Sequence, residues 1–226
     1  MANPKHIAFI LDGNRRWASR RGLPAQMGHR EGVKAIERTL QALCEKNIPY
    51  STFYCFSTDN WKRGKEEIDG LMSLAEEYFE KGIDFFNKFG IRIDIFGDIS
   101  VFSKKLQQIL VNVQEATAEN THLRAGFCLN YGGKEDILRA VNKLIKDGKK
   151  EISANDVSQN LYTSEYPDPD LLIRTSGEMR VSNFQIWQTS YSELYFPKIF
   201  WPEFDKKQLK KSLKVYSKRK RRFGGN

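Results

Sequence analysis

The 226-residue sequence is poor in cysteine and proline and contains no long apolar run. Its three cysteines, Cys44, Cys55 and Cys128, lie far apart in apolar periodic segments. We therefore expect buried thiols in a reducing compartment, and neither a disulfide framework nor a cysteine metal site. No apolar stretch approaches the roughly 20 residues needed to span a bilayer. The N-terminus leads directly into a strand-like segment without a signal-peptide pattern, which predicts a cytoplasmic protein.

The net charge of +9 is concentrated near the C-terminus. Residues 206–222 hold ten lysines and arginines and no acidic residue, which leaves a net charge of −1 on the rest of the chain. A nucleic-acid-binding protein spreads basic residues over a binding face, and no RNA-binding module is recognisable here. We therefore expect no nucleic-acid partner. Leu209, Leu213 and Tyr216 recur at helical spacing, which predicts a basic C-terminal helix or tail over about 205–226.

Short apolar runs typical of buried strands alternate with segments of helical periodicity. The strand-like runs are Lys5–Leu11, Tyr50–Phe56, Ile91–Phe96, Ala125–Asn130 and Asp170–Arg174. Helical stripes lie between them, and the longest stripe extends from residue 68 to residue 86. The alternation predicts a single α/β domain over residues 1–226, with a largely parallel sheet flanked by helices.

Polar clusters follow three of these strand-like runs. They are Asp12-Gly13-Asn14, Ser57-Thr58-Asp59-Asn60-Trp61 and Thr175-Ser176-Gly177-Glu178. Ligands of parallel sheets bind beyond the carboxyl ends of the strands. We therefore expect the three clusters to converge at one edge of the sheet.

The first cluster has the composition of a diphosphate site. Gly13 allows a tight turn close to a ligand, and Arg15 and Arg16 at a helix N-terminus would attract phosphate oxygens. Asp12 could hold a hard cation such as Mg²⁺. An N-cap at Asp12 with solvated arginines would explain the same pattern. His29, predicted just before the first long helix, could donate to a phosphate or act as a cap.

The later clusters suggest further ligand contacts. A capping turn would explain Ser57 and Thr58, but a partly exposed Trp61 among polar neighbours suits a ligand with an apolar tail and an anionic head. Arg174 and Arg180 bracket a glycine turn and predict a second anion site. A glutamate, Glu193, lies in an aromatic strand-like run, where it is either a metal ligand or an outward-facing, solvated residue.

Five sequence blocks, in order along the chain, resemble the cis-prenyltransferase family, whose members include undecaprenyl diphosphate synthase. The blocks are His6–Asn14, Phe56–Trp61, Asn130–Gly133, Arg174–Phe184 continuing to Glu193, and Arg221–Gly225. The resemblance covers nearly the whole chain. It implies an Mg²⁺-dependent transferase that joins isopentenyl diphosphate to an allylic prenyl diphosphate, such as farnesyl diphosphate. The product would be a Z-configured polyprenyl diphosphate.

The resemblance also implies roles for individual residues. Asp12 matches the aspartate that acts with Mg²⁺, Asn60 matches the position associated with proton removal, and Glu193 matches an acid associated with the metal. The allylic substrate site would comprise Gly13, Asn14, Arg15, Arg16, Trp17, His29, Ser57, Thr58, Asp59, Trp61 and Arg63. The isopentenyl diphosphate site would comprise Arg174, Arg180, Val181 and Ser182. Arg222 and Gly224 match a motif that, in some relatives, reaches the substrate site across a dimer, which implies a homodimer.

Three positions depart from the family pattern. Ala25 lies four residues before His29, where a basic residue is common, and its small side chain removes a phosphate contact worth about 1.5–3 kcal/mol. Lys134 stands where arginine is common, and Gly64 where proline is common. None of these changes removes a catalytic group, but the change at Ala25 affects the expected affinity for the allylic substrate.

A growing prenyl chain would need an apolar tunnel between the sheet and the long helices. Side chains that could line it are Cys55, Ile68, Leu71, Leu74 and Phe86, each of which would also suit an ordinary core. A short-chain or irregular prenyl diphosphate synthase would share the same motifs. A non-catalytic accessory subunit would lose acidic and arginine positions that this chain retains. The basic face of the C-terminal helix is expected against anionic lipid, or else in solvent or in a dimer contact.

Overall fold

The computed structural model describes residues 3–219. Six strands form a single sheet in which every hydrogen-bonded pair is parallel. The strands are β1 (His6–Ile10), β2 (Tyr50–Ser57), β3 (Ile91–Phe96), β4 (Leu123–Tyr131), β5 (Leu171–Arg174) and β6 (Glu193–Tyr195). Their spatial order is β3-β4-β2-β1-β5-β6. The predicted parallel α/β fold is confirmed.

Eight α-helices connect and cover the strands of the described chain. They are α1 (Asn14–Ser19), α2 (Ala25–Glu45), α3 (Lys65–Lys81), α4 (Ile83–Phe89), α5 (Lys104–Ala116), α6 (Gly133–Lys146), α7 (Ala154–Asn160) and α8 (Lys206–Ser217). None of these helices has the length and hydrophobicity needed to cross a bilayer. Leu209 of α8 is buried and Leu213 packs on the core, so the basic residues of this helix are left on its outer side.

Alternate side chains of β1 enter two separate cores. Ile7 and Phe9 belong to the large core beneath α2, α3 and α5, whereas Ala8 and Ile10 belong to a smaller core on the opposite face. Phe9 stacks on Phe53 of β2 with ring centroids 5.1 Å apart. Each buried phenylalanine contributes about 1.5–3 kcal/mol by leaving water. Burial of this central strand on both faces explains the continuous apolar run Ile7–Leu11 near the N-terminus.

The long apolar stripe from residue 68 to residue 86 forms two helices, so the prediction of one helical segment was wrong. The helices α3 and α4 meet at Gly82. A Cβ atom at Gly82 would lie 2.6 Å from the carbonyl oxygen of Tyr78 and 2.7 Å from the ring of Phe86. The break therefore lets the Phe86 ring pack against the end of α3, where it is completely buried.

The sheet order places the ends of three strands side by side. Because β1 lies between β2 and β5 and the three strands are parallel, the segments that follow them meet at the edge formed by the carboxyl ends of the strands. The segments contain the three polar clusters expected to converge there. Cys44 and Cys128 are buried, Cys55 is partly buried, and all three are free thiols.

Candidate active site

Asp12 is held in place by backbone contacts where β1 ends. The Thr175 hydroxyl donates to the Asp12 carbonyl oxygen at 2.6 Å, and the Trp201 amide donates to the same oxygen at 3.0 Å. The chain then turns at Gly13, which has a φ of 109°. A Cβ atom there would lie 2.6 Å from the Phe200 ring. Glycine is therefore required both by the backbone conformation and by the available space.

Two arginines pair with the Asp12 carboxylate. Arg174 donates to Oδ2 through Nη2 at 2.9 Å, and Arg16 donates to Oδ1 through Nη2 at 2.9 Å. Burial alone would raise the pKa of Asp12, but hydrogen bonds from Arg174 and Arg16 outweigh it and hold the pKa below 3.8. Asp12 is therefore ionised at neutral pH. The Asp12 carboxylate thus lies between two arginines, and all three side chains line the cavity that opens at this end of the sheet.

Arg174 organises the loop that follows β5. Its guanidinium is almost completely buried, and Nη1 donates to the Ser182 hydroxyl and to the Arg180 carbonyl oxygen, both at 2.7 Å. Within this loop, Ser176, Gly177, Ser182, Asn183 and Gln185 have left-handed φ values. Such conformations are costly for residues other than glycine and tend to occur at ligand sites. Arg174 thus links the loop directly to Asp12.

Two further carboxylates hold cationic side chains at the edge of the sheet. Glu178 accepts from Arg16 at 3.0 Å and from Arg180 at 2.6 Å. Glu67 of α3 accepts from Arg63 at 3.0 Å, and its carboxylate lies 3.4 Å from His29 Nε2 and 3.7 Å from Arg15. Several of the groups predicted to bind phosphate are therefore paired with glutamates of the same chain.

His29 lies within α2, so the prediction that it precedes this helix was wrong. The helix begins at Ala25, directly after Pro24, whose fixed φ suits the start of a helix. Burial is the main cause that lowers the pKa of His29 below 6.5, and it outweighs the opposing effect of Glu67. His29 is therefore neutral at pH 7 and can act as a hydrogen-bond partner, but not as a fixed cation. A Cβ atom at Gly28 would lie 2.1 Å from the Asn14 carbonyl oxygen, so glycine allows α2 to approach α1 closely.

A short 3₁₀ turn, Thr58–Lys62, carries the second polar cluster. The Asn60 side-chain oxygen accepts from the Ser57 amide at 3.1 Å, which fixes the orientation of the Asn60 amide group. Trp61 Nε1 donates to Asn130 Oδ1 at 2.8 Å, and the indole packs against Phe56 with ring centroids 5.1 Å apart. Asn130 thus positions an aromatic side chain, and the block Asn130–Gly133 does not itself line the cavity.

A cavity of about 900 Å³ opens at this edge and extends between the sheet and helices α2 and α3. Its interior is apolar and includes Val33, Ile36, Leu71, Ala75 and Phe127. Cys55 also lines it, and burial raises the pKa of this thiol to about 12, so the thiol stays neutral. Of the tunnel residues expected from the sequence, Leu71 and Leu74 line this cavity, whereas Ile68 and Phe86 do not.

Most of the predicted site residues line the mouth of this cavity. They are Asp12, Gly13, Asn14, Arg15, Arg16, His29, Ser57, Asp59, Asn60, Arg63, Arg174, Arg180 and Ser182. The other predicted residues, Trp17, Thr58, Trp61, Val181 and Glu193, lie outside its lining. Trp17 lies beneath the guanidinium of Arg21, 4.3 Å from the indole centroid. The cavity mouth therefore brings together residues of the two expected anion sites, with Asp12 and Asp59 as the carboxylates among them.

Glu193 lies apart from Asp12 within the chain. It is the first residue of β6 and pairs in register with Leu171, which in turn pairs with Ile7. Asp12, by contrast, follows the carboxyl end of β1. The Glu193 carboxylate accepts from Arg219 at 2.6 Å. Arg222 and Gly224, the C-terminal motif residues, lie outside the described residues.

The donor set suits Mg²⁺ held jointly by protein and substrate. Within residues 3–219, no three His, Cys, Asp or Glu side chains form a complete metal site. Mg²⁺ commonly uses one or two protein carboxylates together with substrate phosphates and water. Asp12 is an ionised carboxylate at the mouth of a cavity whose arginines would attract a diphosphate. The residues present therefore fit this ion when a diphosphate is bound.

Full-length relatives are identified by comparison with known proteins. Residues 10–224 match a family described as putative undecaprenyl diphosphate synthase. An isoprenyl transferase of Fusobacterium nucleatum is 45% identical over 222 residues, which cover 98% of this chain and 96% of that protein. A ditrans,polycis-undecaprenyl-diphosphate synthase ((2E,6E)-farnesyl-diphosphate specific) of Vibrio vulnificus is 42% identical over 227 residues, which cover 98% of this chain and 90% of that protein.

The fold leads to the same family. The crystal structure of lavandulyl diphosphate synthase from Lavandula x intermedia, in complex with dimethylallyl diphosphate, superposes with a TM-score of 0.94. The two chains are 32% identical, and the match covers 98% of each. Sequence similarity and fold therefore agree over nearly the whole chain. The chain belongs to the undecaprenyl diphosphate synthase family of prenyltransferases and is a transferase.

Proposed function

We propose that this transferase condenses isopentenyl diphosphate with an allylic prenyl diphosphate, such as farnesyl diphosphate, in the presence of Mg²⁺. The product is a Z-configured polyprenyl diphosphate. The cavity carries this proposal, because arginines and Asp12 surround its mouth while its interior is apolar. A diphosphate with a hydrocarbon tail has the same division between an anionic head and an apolar chain.

The allylic diphosphate binds in the part of the mouth formed by α1, the start of α2 and the turn after β2. Arg15, Arg16 and Arg63 supply positive charge, and Asn14 and His29 supply neutral hydrogen-bonding groups. Breaking the allylic C–O bond leaves negative charge on the diphosphate, which these groups stabilise in place. When bound through Asp12 and substrate oxygens, Mg²⁺ supplies further positive charge against the leaving group.

Isopentenyl diphosphate binds at the loop that follows β5. Arg174 and Arg180 pair with its phosphates, Ser182 donates from its hydroxyl, and Val181 joins the two contacts through the backbone. Two adjacent anion sites hold the alkene beside the allylic carbon, which removes much of the entropic cost of the reaction. For a phosphate to bind, Arg180 and Arg16 must exchange their contact with Glu178 for one with substrate.

Asn60 positions the proton that leaves when the new bond forms. An amide is a poor base, and the Asn60 oxygen already accepts from the Ser57 amide. This contact fixes the direction of the Asn60 NH₂ group, which can donate to a substrate phosphate oxygen. That oxygen is a better proton acceptor than an amide and takes the proton. Ser57 and Asp59 line the same part of the cavity and complete the polar surface there.

Product sizing tests the proposed function directly. The purified protein is incubated with radiolabelled isopentenyl diphosphate, farnesyl diphosphate and Mg²⁺, and the products are separated by chain length. Labelled products longer than farnesyl diphosphate are expected. If label is incorporated into no product with farnesyl, geranyl or dimethylallyl diphosphate as primer, the proposal is wrong.

A short-chain or irregular synthase is a second candidate. The structural neighbour with a TM-score of 0.94 is a lavandulyl diphosphate synthase solved with dimethylallyl diphosphate, a five-carbon substrate. In the same assay, such an enzyme would use dimethylallyl diphosphate in preference to farnesyl diphosphate. Its labelled products would contain no more than a few isoprene units.

Ala25→Arg, which introduces a basic side chain at this position, should strengthen the binding of the allylic substrate. Ala25 lines the cavity mouth at the first turn of α2, so an arginine there can reach the allylic diphosphate. One charge-assisted hydrogen bond contributes about 1.5–3 kcal/mol, which corresponds to a fall of roughly tenfold or more in the KM for farnesyl diphosphate. Gln26→Arg adds the same charge at an exposed neighbour outside the cavity lining. Equal KM values for the two variants would show that position 25 does not contact the phosphates.

We also propose a homodimer. Glu193 and Arg219 lie on and beside the edge strand β6, and Asp12 is distant from Glu193 within one chain. In a homodimer, Glu193 and the C-terminal motif of one subunit can approach the cavity mouth of the other subunit. In that arrangement Glu193 acts with the metal, as its place in the family motif implies.

The outer face of α8 is proposed to bind anionic lipid, where a long prenyl product must leave the enzyme. Each well-placed basic residue contributes roughly 1 kcal/mol to such binding. We expect intact protein to float with anionic liposomes at low salt, and a variant with Lys210, Lys211, Lys214 and Lys218 replaced by glutamine to remain in solution. High salt should release the intact protein, because exposed charges are screened.

A matched control for flotation removes the same charge elsewhere. Its four glutamines replace the exposed residues Lys88, Lys143, Lys146 and Lys150. This variant should float like the intact protein. Equal flotation of all three proteins at low salt would contradict the lipid contact of α8 without bearing on the enzymatic proposal.

A further inference from the structure

One carboxylate of α3 faces three side chains of the cavity mouth. Glu67 lies in the first turn of this helix, and Arg63 Nη1 donates to it at 3.0 Å. His29 Nε2 lies 3.4 Å from the same carboxylate, and Arg15 Nη1 lies 3.7 Å from it. The three partners belong to the segment after β2, to α2 and to α1, in that order. Glu67 therefore joins the three elements that form the part of the mouth proposed for the allylic diphosphate.

Glu67 contacts these side chains from outside the cavity. Arg15, His29 and Arg63 all line the cavity, whereas Glu67 does not. The Glu67 side chain is only 20% exposed, while that of Arg15 is 64% exposed. The carboxylate is thus held by the fold, and the arginine that it faces extends into solvent. A diphosphate in the mouth would meet the three partners and not the carboxylate itself.

Arg63 has enough donors to bind Glu67 and a phosphate at the same time. A guanidinium carries five N–H groups in one plane, and Nη1 is the nitrogen that donates to Glu67. This contact holds the plane in one orientation, so the other N–H groups can reach a phosphate in the mouth. A side chain that is already ordered binds without the cost of immobilising it. That cost corresponds to about two- to tenfold in affinity for one long side chain.

The same carboxylate gives His29 a defined tautomer. The ring is neutral at pH 7, so one of its nitrogens carries a proton and the other does not. A carboxylate 3.4 Å from Nε2 stabilises the tautomer with the proton on that atom. Within residues 3–219, the buried Nε2 atom makes no hydrogen bond of good geometry, so its proton is available to a phosphate oxygen. An unprotonated nitrogen in the same place would repel the phosphate.

We propose that Glu67 is a positioning residue for the allylic diphosphate, because it holds these three side chains in place to bind the phosphates. This inference rests on the proposed function. Without the carboxylate, the two arginines are free to move and the imidazole has no preferred tautomer. Loss of one negative charge would by itself attract the diphosphate more strongly. This attraction is screened where the mouth is open to solvent, so the loss of positioning is the larger effect.

Glu67→Gln tests this role, because glutamine has the same shape without the charge. The KM for farnesyl diphosphate should rise about tenfold, as expected when long side chains must be ordered on binding. The KM for isopentenyl diphosphate should stay unchanged, because Arg174 and Arg180 are paired with Asp12 and Glu178 instead. Calorimetric titration with farnesyl diphosphate alone should show the same loss of affinity without depending on turnover.

Glu66→Gln is the matched control. Glu66 precedes Glu67 in α3, is exposed and does not line the cavity, and its replacement changes the net charge by the same amount. This variant should bind farnesyl diphosphate like the native protein. Glu67→Asp keeps a carboxylate on a shorter side chain and should recover part of the affinity lost in Glu67→Gln. Urea unfolding should give similar midpoints for all four proteins, since ion pairs near the surface contribute little to stability.

Three results would overturn the proposal. A lower KM for farnesyl diphosphate in Glu67→Gln would show that the carboxylate competes with the diphosphate. Equal affinities of Glu67→Gln and Glu66→Gln would show that Glu67 positions nothing. An equal rise in KM for both substrates, together with a lower unfolding midpoint, would identify a purely structural residue. If the native protein formed no product, the proposed function would be refuted, and the calorimetric comparison would still decide the role of Glu67.

Discussion

Replacing Asp12 with alanine is expected to lower turnover by about a thousandfold or more, because a metal or fixed charge at a developing diphosphate contributes several kcal/mol. The Asp12 carboxylate lines the cavity mouth and lies between Arg174 and Arg16, which are both expected to face the diphosphates. The rate is measured with saturating isopentenyl and farnesyl diphosphates and Mg²⁺. Near-normal turnover of the purified variant would contradict the role assigned to Asp12.

The same substitution should also affect stability, and this effect has to be separated from catalysis. Arg174 is almost completely buried, and loss of the Asp12 carboxylate leaves its charge without an anionic partner, which costs about 3–5 kcal/mol. From the sequence alone, Asp12→Ala would be expected to leave the fold intact. Asp12→Asn keeps a hydrogen-bond acceptor for Arg174 and provides the control. Urea unfolding should show that the asparagine variant loses less stability, while its turnover remains strongly reduced.

Replacing Arg180 with alanine should mainly raise the KM for isopentenyl diphosphate, by roughly ten- to a hundredfold. The change removes charge-assisted hydrogen bonds to phosphate, each worth about 1.5–3 kcal/mol. Arg180 is exposed and anchored to the loop by Glu178, so its loss should leave the fold unchanged. The KM for farnesyl diphosphate should change by much less, since Arg15, Arg16 and Arg63 remain in place.

Arg92→Ala is the matched control for Arg180→Ala. Arg92 lies on the edge strand β3, pairs with Asp94 at 3.3 Å and does not line the cavity. Steady-state kinetics of this variant should reproduce those of the native protein. If Arg180→Ala behaves like Arg92→Ala for isopentenyl diphosphate, Arg180 does not belong to that substrate site.

The strands were predictable because a parallel sheet buries both faces of its central strands. Lys5–Leu11 and Tyr50–Phe56 are rich in apolar residues without strict polar–apolar alternation, and both contain central strands of the sheet. The break at Gly82 was not predictable from periodicity, since the apolar stripe continues in phase across it. It depends on the close packing of the Phe86 ring against Tyr78, a contact that only the folded chain contains.

The residues at the cavity mouth were identified because they follow the strand ends in recognisable motifs. The acidic side chains that pair with these residues were not identified from the sequence. Glu67 pairs with Arg63, but Arg63 precedes the start of α3 at Lys65, so helical spacing does not predict this ion pair. Its approach to His29 depends on how α3 packs against α2. Trp61 was expected to be partly exposed and is 39% exposed, but its orientation depends on the hydrogen bond to Asn130, which is 69 residues away in sequence.

The position of β1 in the middle of the sheet has a consequence for how the chain is made. One neighbour of β1, the strand β2, follows within 50 residues, but the other, β5, begins only at Leu171. At synthesis rates of about 5–20 residues per second, β1 waits roughly ten seconds or longer for β5 to emerge from the ribosome. During that time one edge of a very apolar strand is unpaired, which favours aggregation. A nascent chain therefore has a special need for chaperone protection until β5 is complete, and only then can Arg174 reach Asp12.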